Sequence, residues 1–164
     1  MKRQSKIEMM TRQTKDNHLI HKQAISAVID NLPMAVDMDA LEHYSPYDVD
    51  WNGLKILIKA ARPTRKATQK ATKWFYSLKE KDLKIVDYII LFALSSDKQV
   101  RAVYVLPKAF SPTRYITITQ LNGNIRYQYF RTPIEELAKK ILEVKKSMPR
   151  LVKIYKRAKI LGKI

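Results

Sequence analysis

The chain has 164 residues, a formal net charge of +17, no cysteine and 46% hydrophobic residues. This length suits one domain with a hydrophobic core. The lack of cysteine excludes disulfides and thiolate metal sites, and no apolar run is long enough to cross a bilayer. No signal peptide is expected, and an intracellular, cytoplasmic location fits these features best.

The first predicted elements are a polar, basic arm over residues 1–16 and a helix that starts at Asn17. Apolar residues recur at helical spacing as far as Leu32, and Pro33 ends the pattern. Residues 34–38 are predicted as a short strand or an extended connection. A polar linker over residues 39–45 follows.

A β-hairpin is predicted next, with strands near 47–51 and 54–60 joined by Asn52-Gly53. Asn-Gly between two alternating segments is the strongest short hairpin signal. Further strands are predicted over residues 73–78, 85–94, 100–106, 114–120 and 125–130. The long apolar run at 85–94 indicates a buried central strand, and Asn122-Gly123 predicts a second hairpin between the last two strands.

Two helices are predicted at the end of the chain, and the first of them begins with Thr132-Pro133-Ile134-Glu135. Thr132 and Glu135 suit a capping box, and Pro133 suits the first helical position. Pro149 marks a break before a last, very basic helix. The order of elements predicts an α+β domain, divided into the arm (1–16), an α/β core (17–131) and a basic helical region (132–164).

The positive charge is concentrated in two segments of the chain. Residues 62–84 hold eight basic side chains against two acids, and residues 139–163 hold ten against one. Such segregation predicts a nucleic-acid partner rather than an anionic membrane, because these segments lack a bulky aromatic face. A solvated surface is the structural alternative. The predicted nucleic-acid contacts are Arg62, Arg65, Lys66, Lys70, Lys73, Lys153, Lys156 and Arg157.

Three charged residues of the first hairpin are candidates for chemistry. Alternation places Asp48 and Asp50 on one face of the first strand, and places Lys59 with Leu57 on one face of the second. Two carboxylates suit magnesium, a hard cation that prefers oxygen ligands. The structural alternatives are turn-favouring aspartates on a solvated strand, and a Lys59 that only pairs with Asp48.

The same segment resembles the signature of the restriction-endonuclease-like nucleases, the PD-(D/E)XK superfamily. Pro46-Asp48 is similar to its opening, and Leu57-Ile58-Lys59 stands where its acid-x-lysine triplet belongs. The resemblance covers about residues 46–107 and implies a nuclease-like core with a mostly antiparallel mixed sheet flanked by helices.

The resemblance also implies a mechanism that uses Mg²⁺ or Mn²⁺. Asp48, assisted by Asp50, and the Ile58 backbone carbonyl would hold the metal, and Lys59 would act on the water or the phosphate. Leu57 stands in place of the second acid. In the family the first helix often offers a glutamate, for which Gln23 is the nearest counterpart here.

Asp87, at the start of the buried strand, is a further candidate for the missing acid. Its alternatives are to cap that strand or to pair with Lys84.

Two functions of different classes follow from these features. The first is a magnesium-dependent DNA endonuclease or resolvase with Asp48, Asp50 and Lys59 as catalytic residues. The second is a catalytically inactive DNA-binding protein on a nuclease-like scaffold, with an RNA-binding factor as a third interpretation. The resemblance implies a homodimer as well, since nucleases of this class often form one.

Overall fold

The computed structural model describes residues 2–42, 44–64, 72–111, 114–119 and 125–162. The helices within these ranges are α1 (Lys2–Asn31), α2 (Met38–Leu41), α3 (Glu80–Leu83), α4 (Ile125–Gln128) and α5 (Leu137–Ile160). The strands there are β1 (Val36–Asp37), β2 (Val49–Trp51), β3 (Leu54–Ala61), β4 (Lys73–Ser77), β5 (Tyr88–Leu94), β6 (Val100–Pro107), β7 (Tyr115–Thr119) and β8 (Arg131–Thr132).

The strands of the described residues form a six-stranded sheet and a two-stranded ribbon. The sheet order is β1-β2-β3-β5-β6-β8, and only the β3–β5 pair in this order is parallel. The ribbon pairs β4 with β7 in antiparallel register. The α+β prediction with a mostly antiparallel mixed sheet flanked by helices is therefore confirmed.

The first hairpin forms where the sequence predicts it, with Trp51 paired to Leu54 across the turn. Asn52 and Gly53 have φ values of 52° and 82°. Positive φ at both central residues defines a type I′ turn, whose twist matches that of the flanking strands. The turn chemistry therefore fixes the register that positions Asp48 beside β3.

The core is centred on β5, as its apolar run predicts, and every one of its seven residues is buried. A strand buried on both faces needs a packed layer on each side. Helix α1 packs against β3, and α5 packs against β6. These two helices also approach each other near the 3₁₀ turn Ile134–Glu136.

The β4–β7 ribbon packs on the sheet through its inward side chains, Trp74, Tyr76, Ile116 and Ile118, all of which are buried. Trp74 Nε1 donates a 2.7 Å hydrogen bond to the carbonyl of Leu94. Burial, and then the nearby Tyr104 of β6, raise the pKa of the Tyr76 hydroxyl. Within the described part of the chain, neither tyrosine hydroxyl has a hydrogen-bond partner.

Two predictions for the N-terminal third are wrong. The first helix does not start at Asn17, because α1 is continuous from Lys2 to Asn31; residues 2–16 have no proline or glycine and are rich in good helix formers. The predicted linker contains α2, which is capped by Asp37 Oδ1 accepting from the Ala40 N–H at 3.0 Å. The division into arm, core and basic region stays a prediction.

The predicted second hairpin is also wrong. Residues 125–128 form α4, and β7 pairs with β4. Pairing of β7 with β4 brings the apolar faces of two amphipathic strands together. The joined face buries more apolar surface on the sheet than a local hairpin would. The predicted turn at Asn122-Gly123 lies outside the described residues.

The C-terminal helix differs from its prediction at its start and at Pro149. Thr132 lies in β8 and donates to the Pro133 carbonyl, so it caps no helix. Pro149 lies inside α5 and does not divide it into two helices. Pro149 is exposed, so water can bond the carbonyl that its missing N–H leaves free. No helix of the described residues combines the length and apolarity needed to cross a bilayer.

Replacement of Trp74 by Phe is expected to lower the free energy of unfolding by about 1–3 kcal/mol, because the buried Leu94 carbonyl loses its donor. Urea denaturation measures the change. Ser77→Ala, on the outer face of the same strand, is the control and is expected to shift stability by less than about 0.5 kcal/mol. Equal effects of the two substitutions would contradict the packing of the ribbon on the sheet.

Candidate functional site

The carboxylate of Asp48 is buried and has a polar contact at each of its two oxygens. Its side chain is buried, with a relative exposure of 8% for the residue. Oδ2 accepts a 2.7 Å hydrogen bond from the Ile58 N–H, and Oδ1 lies 3.1 Å from His21 Nε2. Because an ionised carboxylate only accepts, His21 donates from Nε2.

The local structure explains why this carboxylate lies at the edge of β3. The Asp48 N–H donates to the Ile56 carbonyl, but β2 itself begins at Val49. The N–H of Ile58 therefore extends beyond the end of its neighbouring strand. Asp48 supplies the acceptor that a longer strand would have supplied, which satisfies a buried backbone donor.

His21 is the member of this site that the sequence did not reveal. It lies on α1, 27 positions before Asp48, and its side chain is about one-third exposed. Gln23, considered as the helical contribution, is exposed and makes no contact with Asp48 among the described residues. No local sequence pattern links this position of α1 to the hairpin.

The carboxylate of Asp50 has different hydrogen-bond partners from that of Asp48. Its Oδ1 accepts a 3.0 Å hydrogen bond from the Gly53 N–H, and it stands opposite Lys55 in the hairpin. Burial, followed by the negative charges of Asp50 and Glu42, raises the pKa of the Tyr47 hydroxyl. The described contacts therefore place Asp50 in the hairpin turn and do not join it to the Asp48 carboxylate.

Lys59 is half-buried on β3, opposite Leu91 of the central strand. Among the described residues, its ammonium group has no ion pair or hydrogen bond, so the alternative of a Lys59–Asp48 pair is not observed. Leu57, at the position of the missing acid, is buried at 5% exposure. The contact of Ile58 with Asp48 is made by its N–H, whereas the predicted metal ligand is its carbonyl.

A cleft of about 600 Å³ opens directly after Lys59. Ala60 and Ala61 line it from β3, and Gln13 and Asn17 line it from α1. His21 lies one helical turn beyond Asn17 on the same face of α1. The cleft and the Asp48–His21 pair are therefore neighbours along one face of this helix.

Arg62 also lines this cleft, and Lys73 lies close by through the bridge between Thr64 and Lys73. Lys153, Lys156 and Arg157 lie elsewhere, because neighbouring Tyr155 packs edge-on against Phe110 at the other end of the sheet. The structure therefore separates the predicted nucleic-acid contacts into two groups. Arg65, Lys66 and Lys70 lie outside the described residues.

Asp87 caps the junction of β3 and β5, one of its predicted alternatives. Its Oδ2 accepts from the Lys55 N–H at 2.8 Å, and its own N–H donates to the Lys55 carbonyl at 2.8 Å. These bonds extend the parallel pairing by one residue. Within the described residues, no group of three or more His, Asp or Glu side chains is placed to hold a metal ion.

No protein-family model matches the chain, and no curated protein matches its sequence. Among solved structures, a bacterial homing endonuclease, I-Ssp6803I, shares 15% sequence identity over 83% of this chain and 96% of that chain, with a TM-score of 0.42. This is a distant likeness in the path of the chain.

Asp48→Ala is expected to lower the free energy of unfolding by about 1–3 kcal/mol, because the buried Ile58 N–H loses its acceptor. Asp50→Ala removes a hydrogen bond at an exposed turn and is expected to cost less. Chemical denaturation of both variants gives the comparison. A cost for Asp48→Ala no larger than that for Asp50→Ala would contradict a structural role of the Asp48 carboxylate.

Proposed function

We propose that the protein is a nucleic-acid-binding, metal-dependent endonuclease of the PD-(D/E)XK type, with DNA as its substrate and Asp48 at the centre of its site. One observation carries the proposal. A buried carboxylate and an imidazole meet beside Ile58 of β3, the next residue is Lys59, whose ammonium group has no ion pair among the described residues, and the cleft bordered by Arg62 follows directly.

The donor set fits a divalent cation that retains much of its water. Asp48 Oδ1 and His21 Nε2 are 3.1 Å apart and belong to elements that the core holds in place. Mg²⁺ is commonly bound by one or two carboxylates together with water and substrate phosphates. Carboxylate, carbonyl and water oxygens suit Mn²⁺ as well. Asp48 and His21 would hold the ion, and the Ile58 carbonyl is the main-chain ligand that the resemblance implies.

When bound, such an ion lowers the pKa of a coordinated water and offsets charge on the scissile phosphate. The chain's own residues supply orientation and further positive charge. Lys59 is free to approach a phosphate oxygen, because no described carboxylate engages it. Arg62 borders the path by which a phosphate backbone would reach that lysine, and the net charge of +17 favours such a polyanion.

Binding without cleavage is the second candidate, and two observations favour it. Leu57 buries an apolar side chain at the place of the second acid. The carboxylate of Asp50, its candidate replacement, is engaged by the Gly53 N–H in the turn. In this version the nuclease-like scaffold and its basic surfaces bind nucleic acid, and the Asp48–His21 pair has a structural role.

The purified protein is expected to nick plasmid DNA in the presence of Mg²⁺ or Mn²⁺, and chelator is expected to abolish the activity. Lys59→Met should lower the cleavage rate about 100-fold or more, because a positive charge near the reacting phosphate is lost. Lys55→Met, on the same face of β3, is the matched control and should retain activity.

Persistence of cleavage in Lys59→Met would count against the proposed site. Binding of DNA without cleavage, with a melting temperature raised by DNA and unchanged by either metal ion, would support the second candidate.

Affinity for nucleic acid is expected to fall steeply with salt concentration. Each lost phosphate contact should reduce the slope of log binding constant against log salt concentration by about 1. Arg62→Gln with Lys73→Gln tests the cleft group. Lys153→Gln, Lys156→Gln and Arg157→Gln together test the α5 group. The length of β3, about 25 Å, separates the two groups. An oligonucleotide of a few nucleotides is too short to contact both, so its affinity should fall only in the cleft variant.

An unchanged slope for the cleft variant with both short and long ligands would contradict the cleft as a binding surface. An effect of the α5 variant on the shortest ligand would place the main contact at the opposite end of the sheet.

A further inference from the structure

We propose that Phe75 and Tyr115, on the outer face of the β4–β7 ribbon, form a stacking platform for unpaired bases of nucleic acid held in the adjacent cleft. The inference rests on the proposed function and names the part of the ligand that this surface recognises.

The platform follows from the alternation of the two strands. Trp74 and Tyr76 turn into the core, so Lys73, Phe75 and Ser77 face outward. In β7, Ile116 and Ile118 are buried, and Tyr115 faces outward opposite Ser77.

The rings of Phe75 and Tyr115 are therefore diagonal neighbours on the outer face. They stack on each other with centroids 5.1 Å apart and an interplanar angle of 27°. Each ring therefore covers part of one face of the other, and a base would extend this stack on an outer ring face.

This surface is exposed although both residues are large and aromatic. Phe75 is 51% exposed and Tyr115 is 54% exposed. Such a pair on a ribbon whose other face already fills the core adds nothing further to that core. An exposed aromatic pair next to polar strand residues is typical of a binding surface.

The position of Phe75 indicates the ligand. Its side chain lines the same cleft as Arg62, directly after the strand that carries Lys59. The Asp16 carboxylate lies 4.0 Å from the Arg62 guanidinium and 3.4 Å from the Lys98 ammonium group. Two cationic side chains therefore share one carboxylate beside the cleft. Aromatic rings beside a cationic groove are the usual means of binding single-stranded nucleic acid.

Charge and ring geometry favour unpaired bases over other occupants. A second copy of this chain would bring another net charge of +17 to the surface. A duplex exposes the edges of its bases in the grooves, whereas an aromatic face needs the face of a base. The occupant is therefore a single-stranded or locally unpaired segment, with its phosphates toward Arg62 and Lys73.

The test measures binding of a labelled oligothymidine and of a duplex of equal length by fluorescence anisotropy. Phe75→Leu and Tyr115→Leu should each weaken binding of the single strand by about fivefold or more. Duplex binding should change by less than about twofold. Tyr44→Leu replaces a tyrosine exposed elsewhere on the surface and should leave both affinities unchanged.

A second measurement uses Phe75→Trp, whose indole emission should be quenched by oligothymidine more strongly than the emission of the wild type. It supports the platform even if a leucine variant folds poorly. Failure of the wild type to bind either ligand would overturn the proposed function itself. Wild-type affinity of both leucine variants for the single strand, equal losses for single strand and duplex, or no extra quenching would overturn only the platform.

Discussion

The central strand β5 buries all seven of its side chains, and this requirement determines where the other elements can lie. Side chains alternate between two faces, so each face needs a cover. The β4–β7 ribbon packs over one face of the sheet, where Tyr76 lies next to Tyr104. Helices α1 and α5 pack on the strands that flank β5. With both faces closed, polar chemistry is left to the edges and ends of the strands. Asp48 lies at such an edge, and Arg62 follows such an end.

Asp48 has a structural role, and the proposed function gives the same side chain a chemical one. One oxygen completes the backbone hydrogen bonding of β3, and the other meets His21 of α1. Only the second contact has to change for the carboxylate to accept a cation, because the Ile58 N–H can keep its acceptor. A site of this kind is held in place before any ligand arrives, which lowers the cost of ordering it.

The sequence predicted those parts of the molecule that depend on local patterns. The Asn52-Gly53 turn, the alternation of its strands and the apolar run of β5 each carry their own signal, and all three are confirmed. The pairing of β4 with β7 and the meeting of His21 with Asp48 join residues far apart in the chain. The strand predicted over residues 125–130 is wrong for a related reason. A short amphipathic segment fits either a strand or a helical turn. The roles assigned to Asp48, Asp50 and Lys59 remain predictions.

The proline within α5 gives the two halves of this helix different attachments to the protein. Its three fully buried side chains, Leu137, Ile141 and Val144, all precede Pro149. Beyond it, the helix is held by half-buried contacts such as that of Tyr155 with Phe110, and it lacks the hydrogen bond that the proline nitrogen cannot donate. The basic second half can therefore unwind without opening the core, as a separate cooperative unit of low local stability. Under the proposed function, a charged segment of this kind would adapt its path to the nucleic acid while the first half of α5 stays packed on the core.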